Sequence, residues 1–244
     1  MGISIHPINL SIDTLYVLKG NQVIVNDGGA NSNLGKFEKG LEQASIIPEE
    51  VNLILLTHGH WDHIASAKAI KQLNGAKILI HEDDLSLISE TVPPPPPGLT
   101  TWGKFGNLLL RLYSPFLNFN PFEVDIALTD DEFSLDAFDI PGKIIHTPGH
   151  TKGSISVLMD NGEAFVGDLA MNMFPIRISP SLPIFGDDME VVKDSWRKLL
   201  DMGVKTIYPA HGKPFPVEVM EKAIAYGKQG SEMIQAVEKV VLSC

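Results

Sequence analysis

The heptapeptide THGHWDH at residues 57–63 constrains this chain more than any other segment, because it places three imidazoles and one carboxylate within six positions. A continuous apolar run at residues 53–56 comes directly before it and predicts a buried strand. After it, apolar side chains recur every third residue, which predicts a helix over residues 64–73. The polar cluster is therefore predicted to lie in a tight, glycine-containing turn between a strand and a helix.

The residue types in this cluster indicate a metal site. Neutral imidazole and carboxylate are ligands that borderline divalent metals such as zinc prefer. Residues two apart in an extended segment point the same way, so His58 and His60 are expected to converge on one ion. Asp62 and His63 fall on the first turn of the predicted helix and are expected to face a second ion nearby.

Three more candidate ligands follow predicted strands in the second half of the chain. His150 lies in the glycine-rich segment TPGHTKGS, Asp168 ends the segment VGD, and His211 lies in PAHG. Loops that leave the strands of a rigid sheet are a common position for functional side chains. These three residues are therefore predicted to join the cluster at residues 58–63.

Three other polar residues near strand ends are assigned lesser roles. Asp27, in the segment NDGG, is interpreted as a turn-capping or bracing residue in preference to a metal ligand. His81 begins the acidic run HEDD, which is typical of a first helical turn, and is interpreted as a structural histidine. His146 is expected to pack beneath the site.

The remaining pattern predicts a single domain over residues 1–244, in which two facing sheets carry helices on their outer sides. No Pro- or Ser-rich linker separates the strand-rich halves. Further strands are predicted at residues 3–8, 14–18, 23–26, 77–80, 132–135, 143–146, 155–159, 164–166 and 206–208. Further helices are predicted at residues 32–46, 191–202 and 217–242.

Residues 91–123 form an apolar, proline-rich insert between the two groups of motifs. Five consecutive prolines at residues 93–97 predict a stiff, extended chain, and eleven large apolar side chains follow between residues 102 and 122. Two interpretations stay open: a lid over an apolar substrate, or a dimer interface or locally packed helix. The proline-containing residues 173–185 are predicted to form a second wall of the site.

Composition excludes several classes of protein. The chain has 244 residues, of which 44% are apolar and 20% charged, as in soluble globular proteins. A net charge of −11 argues against binding to a phosphate backbone, so no nucleic acid partner is expected. The single cysteine, Cys244, excludes an intrachain disulfide framework. No signal-peptide pattern and no run of 18 apolar residues occurs, so we expect a cytoplasmic protein without a membrane partner.

In order along the chain, these motifs resemble those of the metallo-β-lactamase superfamily. The pattern HxHxDH and the pattern GHTxGS are most similar to those of its glyoxalase II-like branch, although the basic, tyrosine-containing region expected near the C-terminus of that branch is not recognised. The resemblance implies an α+β fold, a four-layer αββα sandwich with a dinuclear site at one edge of the sheets. It implies that His58, His60 and His150 bind the first metal ion and that Asp62, His63 and His211 bind the second. Asp168 would bridge the two ions, and Asp27 would brace the ligand loop.

This resemblance, with the ligand chemistry, predicts a hydrolase of an ester, thioester or lactone bond in a small, apolar molecule. Two divalent ions are expected, with zinc favoured and iron or manganese also accepted by such ligands. A hydroxide held between the ions would attack the carbonyl group, and Asp62 is the candidate for moving a proton to the leaving group.

Two alternatives from other functional classes stay open. A mononuclear iron dioxygenase that acts on a thiol or persulfide would use only three of the ligands. A sensor or scaffold that retains metal without catalysis is the third interpretation. Within the superfamily, acyl-homoserine lactonases typically carry a tyrosine shortly after the bridging aspartate, whereas Leu169, Ala170 and Met171 follow Asp168 in this chain.

Overall fold

The two halves of the chain build two separate sheets. The structure, a computed structural model, describes residues 2–10, 12–30, 34–92, 94–116, 119–173 and 182–225. Within these residues, twelve strands form two six-stranded sheets, and in each sheet the neighbours in space are neighbours in the chain.

The first sheet changes from antiparallel to parallel as the chain proceeds. Its strands are β1 Ser4–Asn9, β2 Thr14–Lys19, β3 Val23–Asn26, β4 Val51–Leu55, β5 Lys77–His81 and β6 Ile126–Leu128. Strands β1 to β3 pair antiparallel, and β3 to β6 pair parallel. The carboxyl ends of β3, β4 and β5 therefore meet at one edge of the sheet, where the loops after them lie close together.

The second sheet is mostly antiparallel. Its strands are β7 Glu132–Ser134, β8 Gly142–His146, β9 Ile155–Met159, β10 Glu163–Gly167, β11 Thr206–Pro209 and β12 Phe215–Pro216. Only β10 and β11 pair parallel, which brings the loops after both strands to one edge.

Six α-helices lie wholly within the described part of the chain: α1 Leu34–Gln43, α2 Trp61–Ile64, α3 Ala67–Asn74, α4 Leu85–Ser89, α5 Thr101–Tyr113 and α6 Met189–Asp201. Residues 218–225 are also helical.

Alternation along the strands divides the core into three apolar layers. In β4, Leu55 packs in the layer between the sheets, and its neighbour Ile54 packs with α1 and α3 on the outer side. In β9, Val157 belongs to the layer between the sheets and Leu158 to the layer beneath α6. Because successive residues of a strand point to opposite faces, this pattern requires cover on both sides of each sheet. The predicted four-layer αββα sandwich is confirmed.

One predicted helix is divided in the structure. The helix expected over residues 64–73 is replaced by α2 and α3, which are separated at residues 65 and 66. The break has a cause outside the segment. The carbonyl oxygen of His63 accepts the N–H of Gly28 at 2.6 Å, and Ser66 donates its N–H to Gly29 at 3.2 Å. The loop after β3 thus supplies backbone partners that a continuous helix would have supplied.

Two short strands, β6 and β12, were not predicted, because runs of three and two residues show too little alternation to recognise. Of the helix predicted over residues 217–242, residues 218–225 are helical, and residues 226–242 lie outside the described part of the chain. Residues 174–181 of the predicted second wall also lie outside it.

The insert contains one amphipathic helix, α5. The side of α5 that faces the protein carries two glycines, which allow close packing. A Cβ at Gly103 would lie 2.0 Å from the carbonyl oxygen of Ile184, and a Cβ at Gly106 would lie 2.9 Å from the ring of Phe185. The outer side, continued into the turn after the helix, is apolar and exposed: Trp102, Phe105, Leu108, Leu109, Leu112, Tyr113 and Phe116. Helix α5 therefore packs closely on residues 184–185 and leaves its large side chains in solvent.

Among the described residues, no helix combines the length and the hydropathy needed to cross a membrane.

Candidate metal centre

All seven predicted ligands lie together where the loops of the two sheets meet. His58 and His60 lie in the loop after β4, and α2 carries Asp62 and His63. The second sheet supplies three residues from the loops after β8, β10 and β11: His150, Asp168 and His211. Six of the seven are at most 6% exposed, and Asp62 is half-buried. The meeting of these loops thus gathers residues that are up to 153 positions apart, from 58 to 211.

The first ligand set consists of His58, His60 and His150. Their potential ligand atoms all lie within 4.8 Å of one another. The Nδ1 atom of His60 lies 2.9 Å from the Nε2 atom of His150, and both rings stand nearly perpendicular to the ring of His58. Three imidazoles that face one point in this way could hold a single ion.

The second ligand set consists of Asp62, His63 and His211, whose potential ligand atoms also lie within 4.8 Å of one another. The Nε2 atom of His211 is 3.4 Å from Oδ2 of Asp62. This set adds a carboxylate to two imidazoles and lies beside the first.

Asp168 stands between the two sets. Its Oδ1 atom is 3.3 Å from Nε2 of His63 and 3.3 Å from Nε2 of His211, both members of the second set. Its Oδ2 atom is 3.6 Å from Nε2 of His150, a member of the first set. Each carboxylate oxygen therefore faces a different ligand set, as a bridging carboxylate requires.

Four of the five imidazoles have their Nδ1 atom held by an oxygen of the protein. The pairs are His58 with Thr57 Oγ1 at 3.1 Å, His63 with Asp27 Oδ2 at 3.1 Å, His150 with Phe185 O at 3.1 Å and His211 with Ile12 O at 2.8 Å. A carbonyl or carboxylate oxygen accepts only, so Nδ1 carries a proton and Nε2 is the ring atom that points into the site. This is the orientation that outer hydrogen bonds impose on metal-binding histidines.

Asp27 is the residue that fixes this arrangement on one side. It adopts a left-handed backbone conformation with φ 73°, which turns its carboxylate back towards the loop after β4. Oδ1 accepts both the N–H and the hydroxyl of Thr57, at 2.8 and 2.7 Å. Because the Thr57 hydroxyl donates to Asp27, it is left to accept from Nδ1 of His58. With His63 on Oδ2, Asp27 orients one histidine of each ligand set, which is the geometry of a bracing residue.

Unpartnered buried atoms mark the space between the ligands. Among the described residues, Nε2 of His58 is buried and has no hydrogen-bond partner, and Nε2 of His63 and Oδ1 of Asp168 meet at 3.3 Å without the geometry of a hydrogen bond. Buried polar atoms without hydrogen bonds are costly, and a cation between them would satisfy all three. The donor set of five imidazoles and two carboxylates is that of zinc and similar divalent ions, so the residues present fit a metal pair.

The electrostatics of the two sets differ. Burial, followed by the nearby His150, lowers the pKa of His60 to about 3. Burial, followed by the charges of neighbouring histidines, also lowers the pKa of His58 well below its usual value. These rings are therefore neutral and offer lone pairs.

In the second set the carboxylates dominate. Burial alone would lower the pKa of His63 and of His211, but Asp168 and the neighbouring carboxylates raise both well above the usual value. Burial would likewise raise the pKa of Asp168, yet His211 and His63 hold it well below its usual range. The carboxylate of Asp168 therefore stays ionised and supplies negative charge that a bound cation would neutralise.

A small cavity of about 120 Å³ opens onto the two ligand sets. His60, Asp62, Asp168 and His211 line its polar side. Its other walls are apolar: Ile12, Trp61, Pro96, Leu110, Met171 and Phe185. Pro96 and Leu110 belong to the insert and Phe185 to the predicted second wall, so both segments contribute to the cavity.

His81 and His146 form a separate pair. Their rings stack at 4.0 Å with an angle of 7° between planes, and Asp83 lies within reach of both. Lone pairs of imidazole lie in the ring plane, so parallel stacked rings do not aim at one ion. His81 accepts the N–H of Asp83, and His146 bonds through Nε2 to the carbonyl of Lys152 at 2.8 Å. Both have the contacts of structural histidines.

Sequence reasoning missed three residues that contact this centre. Thr57 belongs to the heptapeptide at residues 57–63, but its residue type did not indicate a role. Ile12 contributes a backbone carbonyl, which no side-chain pattern reveals. Asp84 was read as part of an acidic helical turn, although it is 1% exposed and bonds to the loops of His60 and His150. The density of acids in HEDD was a signal, but it did not single out this residue.

Comparison with known proteins finds one family model that covers most of the chain. The sequence model of the family described as the metallo-beta-lactamase superfamily matches residues 9–211. The "Probable metallo-hydrolase YflN" of Bacillus subtilis is 24% identical over 229 residues, which cover 86% of this chain and 84% of that protein.

Two solved structures share the fold. The metallo-beta-lactamase family protein TTHA1429 from Thermus thermophilus superposes with a TM-score of 0.66 at 20% identity, covering 97% of this chain and 82% of the other. TTHA1623, solved in a di-iron-bound form, superposes with a TM-score of 0.62 at 19% identity, covering 86% of this chain and 92% of the other.

Proposed function

The chain belongs to the metallo-β-lactamase superfamily, and from this membership we propose that it is a hydrolase that uses two divalent metal ions to cleave an ester, thioester or lactone bond. The observation that carries the proposal is the position of Asp168, whose two oxygens face the two ligand sets at 3.3 and 3.6 Å. A carboxylate between two neighbouring ligand sets is the arrangement of a dinuclear centre. The same observation favours the hydrolase over a mononuclear iron dioxygenase, which needs only one set.

We assign the ligands to the two ions as the resemblance implies. His58, His60 and His150 would hold the first ion, Asp62, His63 and His211 the second, and Asp168 would contact both. A pair of divalent ions at these positions would lower the pKa of a water molecule and polarise the carbonyl group that it attacks. Zinc suits these ligands. Because TTHA1623 was solved in a di-iron-bound form, iron should be measured as well as zinc.

The protein's own residues would position the substrate and move protons. The carboxylate of Asp62 lines the cavity beside His211, within 3.4 Å of its Nε2 atom. Burial would raise the pKa of Asp62, but His63 and His211 lower it, so the group is a carboxylate near neutral pH. We assign Asp62 the role of accepting a proton from the attacking water and passing it to the leaving group.

The walls of the cavity support an apolar small-molecule substrate. Pro96, Leu110 and Phe185 face the ligand sets from the insert and the second wall. A volume of about 120 Å³ is below the roughly 300 Å³ at which drug-sized ligands are enclosed. The cavity would thus receive a short acyl group directly, and longer chains would require α5 to move as a lid.

The exposed side of α5 supports the second role considered for the insert. Six large apolar side chains of α5 are adjacent in sequence or lie three or four residues apart, so they form one face of the helix. Residues 91–122 contain Lys104 and Arg111 but no Asp or Glu. Two chains of net charge −11 would meet with least repulsion at such a surface, so we propose a homodimer through α5. We further propose a cytoplasmic location.

The proposal is tested by metal content and turnover measured together. We expect about two ions per chain by elemental analysis and hydrolysis within a panel of short- and long-chain esters, thioesters and lactones. His60→Ala and Asp168→Ala should each lower the metal content, because each removes a ligand. Each should also lower turnover by at least 100-fold. His6→Ala, which changes a histidine of β1, serves as the matched control.

Full activity and metal content in His60→Ala would defeat the assignment. One iron per chain with oxygen consumption and no hydrolysis would favour the dioxygenase, and metal without any turnover would favour the sensor. Turnover that does not depend on the acyl chain length of the substrate would argue against α5 as a lid.

A further inference from the structure

Asp84 is a buried carboxylate whose hydrogen bonds all leave its own segment. It ends the single 3-10 turn Glu82–Asp84 that follows β5, and it is 1% exposed. Its Oδ2 atom accepts the N–H of Gly59 at 2.8 Å and the hydroxyl of Thr151 at 2.7 Å. Its Oδ1 atom accepts the N–H of Gly153 at 2.9 Å.

These three donors belong to the two loops that carry the first ligand set. Gly59 lies between His58 and His60, in the loop that leaves the first sheet. Thr151 directly follows His150, in the loop that leaves β8 of the second sheet. A single carboxylate therefore joins two loops from different sheets at the point where Nδ1 of His60 and Nε2 of His150 come within 2.9 Å.

Two glycines allow the backbone of the two loops to approach Asp84 closely. A Cβ at Gly153 would lie 2.7 Å from Cγ and Oδ1 of Asp84, so only glycine lets this backbone reach the carboxylate. A Cβ at Gly59 would lie 2.7 Å from the side chain of Leu87 and 3.2 Å from the carbonyl oxygen of Asp84. Both loops are thus pressed against the turn that carries Asp84.

An ionised carboxylate suits these partners better than any neutral side chain. All three partners are donors, and a carboxylate accepts on both oxygens. Bonds of this kind, with a charged acceptor, are shorter and stronger than neutral ones. An asparagine would turn its NH₂ group towards at least one donor and lose that bond.

We propose that Asp84 is a positioning residue that sets the spacing of His58, His60 and His150, as Asp27 does for His58 and His63. The inference rests on the proposed metal centre, but it concerns only the first ligand set. It predicts that the two ion sites respond unequally to loss of Asp84.

The test is a zinc titration of chelator-treated Asp84→Asn, followed by calorimetry and by elemental analysis after dialysis. We expect the affinity of one ion to fall about 10- to 100-fold while the other ion binds as in the wild type, because outer-shell partners of metal ligands have effects of this size. The matched control is Asp83→Asn, which changes the neighbouring carboxylate, half-exposed and bonded to neither loop. This control should bind both ions as the wild type does.

Thr151→Val provides a second variant in case Asp84→Asn fails to fold. It removes one of the three donors while keeping the side-chain shape, so a several-fold loss at the same site is expected. Wild-type binding of both ions by a folded Asp84→Asn, or by Thr151→Val, would overturn the inference and leave the proposed function intact. A wild-type chain that binds no divalent ion would overturn both.

Discussion

At the scale of the residue, the chemistry of the site depends on which atom of each ring is already occupied. Four histidines have Nδ1 bonded to an oxygen, which leaves Nε2 for an ion. Two of these oxygens are backbone carbonyls 35 and 199 residues away in the sequence. The orientation of each of these four rings is therefore fixed by packing before any ion binds, and that order lowers the cost of binding.

A second residue-scale feature is the buried Asp13, 3% exposed, near the second ligand set. Burial raises its pKa from 3.8 to about 6, against the opposing attraction of His63 and His211. The folded state thus binds this proton more tightly than the unfolded chain. The associated stability is complete below about pH 4 and is lost as the pH rises through about 6.

In the chelator-treated, metal-free protein, Asp13→Asn should therefore unfold like the wild type at pH 4 but be more stable at pH 8, by on the order of 2 kcal/mol, because asparagine cannot ionise. Urea unfolding at the two pH values measures the difference. An offset that is the same at both pH values would show that ionisation of Asp13 is not its cause.

At the scale of the element, the junction of α2 and α3 is determined by the loop after β3. Gly28 donates to His63, and a Cβ at Gly28 would lie 2.7 Å from Cβ of Ala67 and 3.0 Å from its backbone. The loop that contains Asp27 thus contacts α2, which carries two predicted ligands, and also the first residue of α3.

Gly28→Ala should destabilise the fold by about 1–3 kcal/mol through overpacking, and should also lower metal retention because His63 moves. Gly35→Ala is the matched control: it lies in α1 with nothing within 4 Å of the added Cβ, and it should be neutral or stabilising by up to about 1 kcal/mol. Thermal unfolding and elemental analysis measure both effects. Equal behaviour of the two variants would contradict the close packing at Gly28.

The same elements show what can be predicted from sequence. Strands such as β9 and β10 carry their signal locally, in apolar runs bounded by turn residues, and the motif histidines stand out by residue type. The division of α2 from α3 has no local signal, because its cause is the backbone of residues 28 and 29. Asp84 was missed for the same reason, since its partners lie 25 to 69 residues away.

At the scale of the whole molecule, the outer face of α5 stays exposed among the residues that the structure describes. Leu112 and Phe116 are 67% and 76% exposed, on a face continuous with the wall of the metal cavity through Leu110. Exposed apolar patches of this kind mark interaction sites.

If a second copy covers this face, Leu112→Glu should convert a dimer to a monomer, because it would bury two like charges at the contact. Ile47→Glu, at an apolar residue 60% exposed far from the insert in sequence, should leave the mass unchanged. Light scattering on a size-exclusion column measures both. A wild type that is monomeric at every concentration would exclude the dimer.

The division of the sandwich into two sequential halves has a consequence for how the chain matures. Strands of the first sheet end at Leu128 and those of the second begin at Glu132, so each sheet is assembled from its own stretch of chain. On the proposed assignment, each ion takes ligands from both stretches and acts as a cross-link between them. Only a molecule with both halves docked can then hold its metal, and metal content becomes a measure of correct assembly as well as of catalytic capacity.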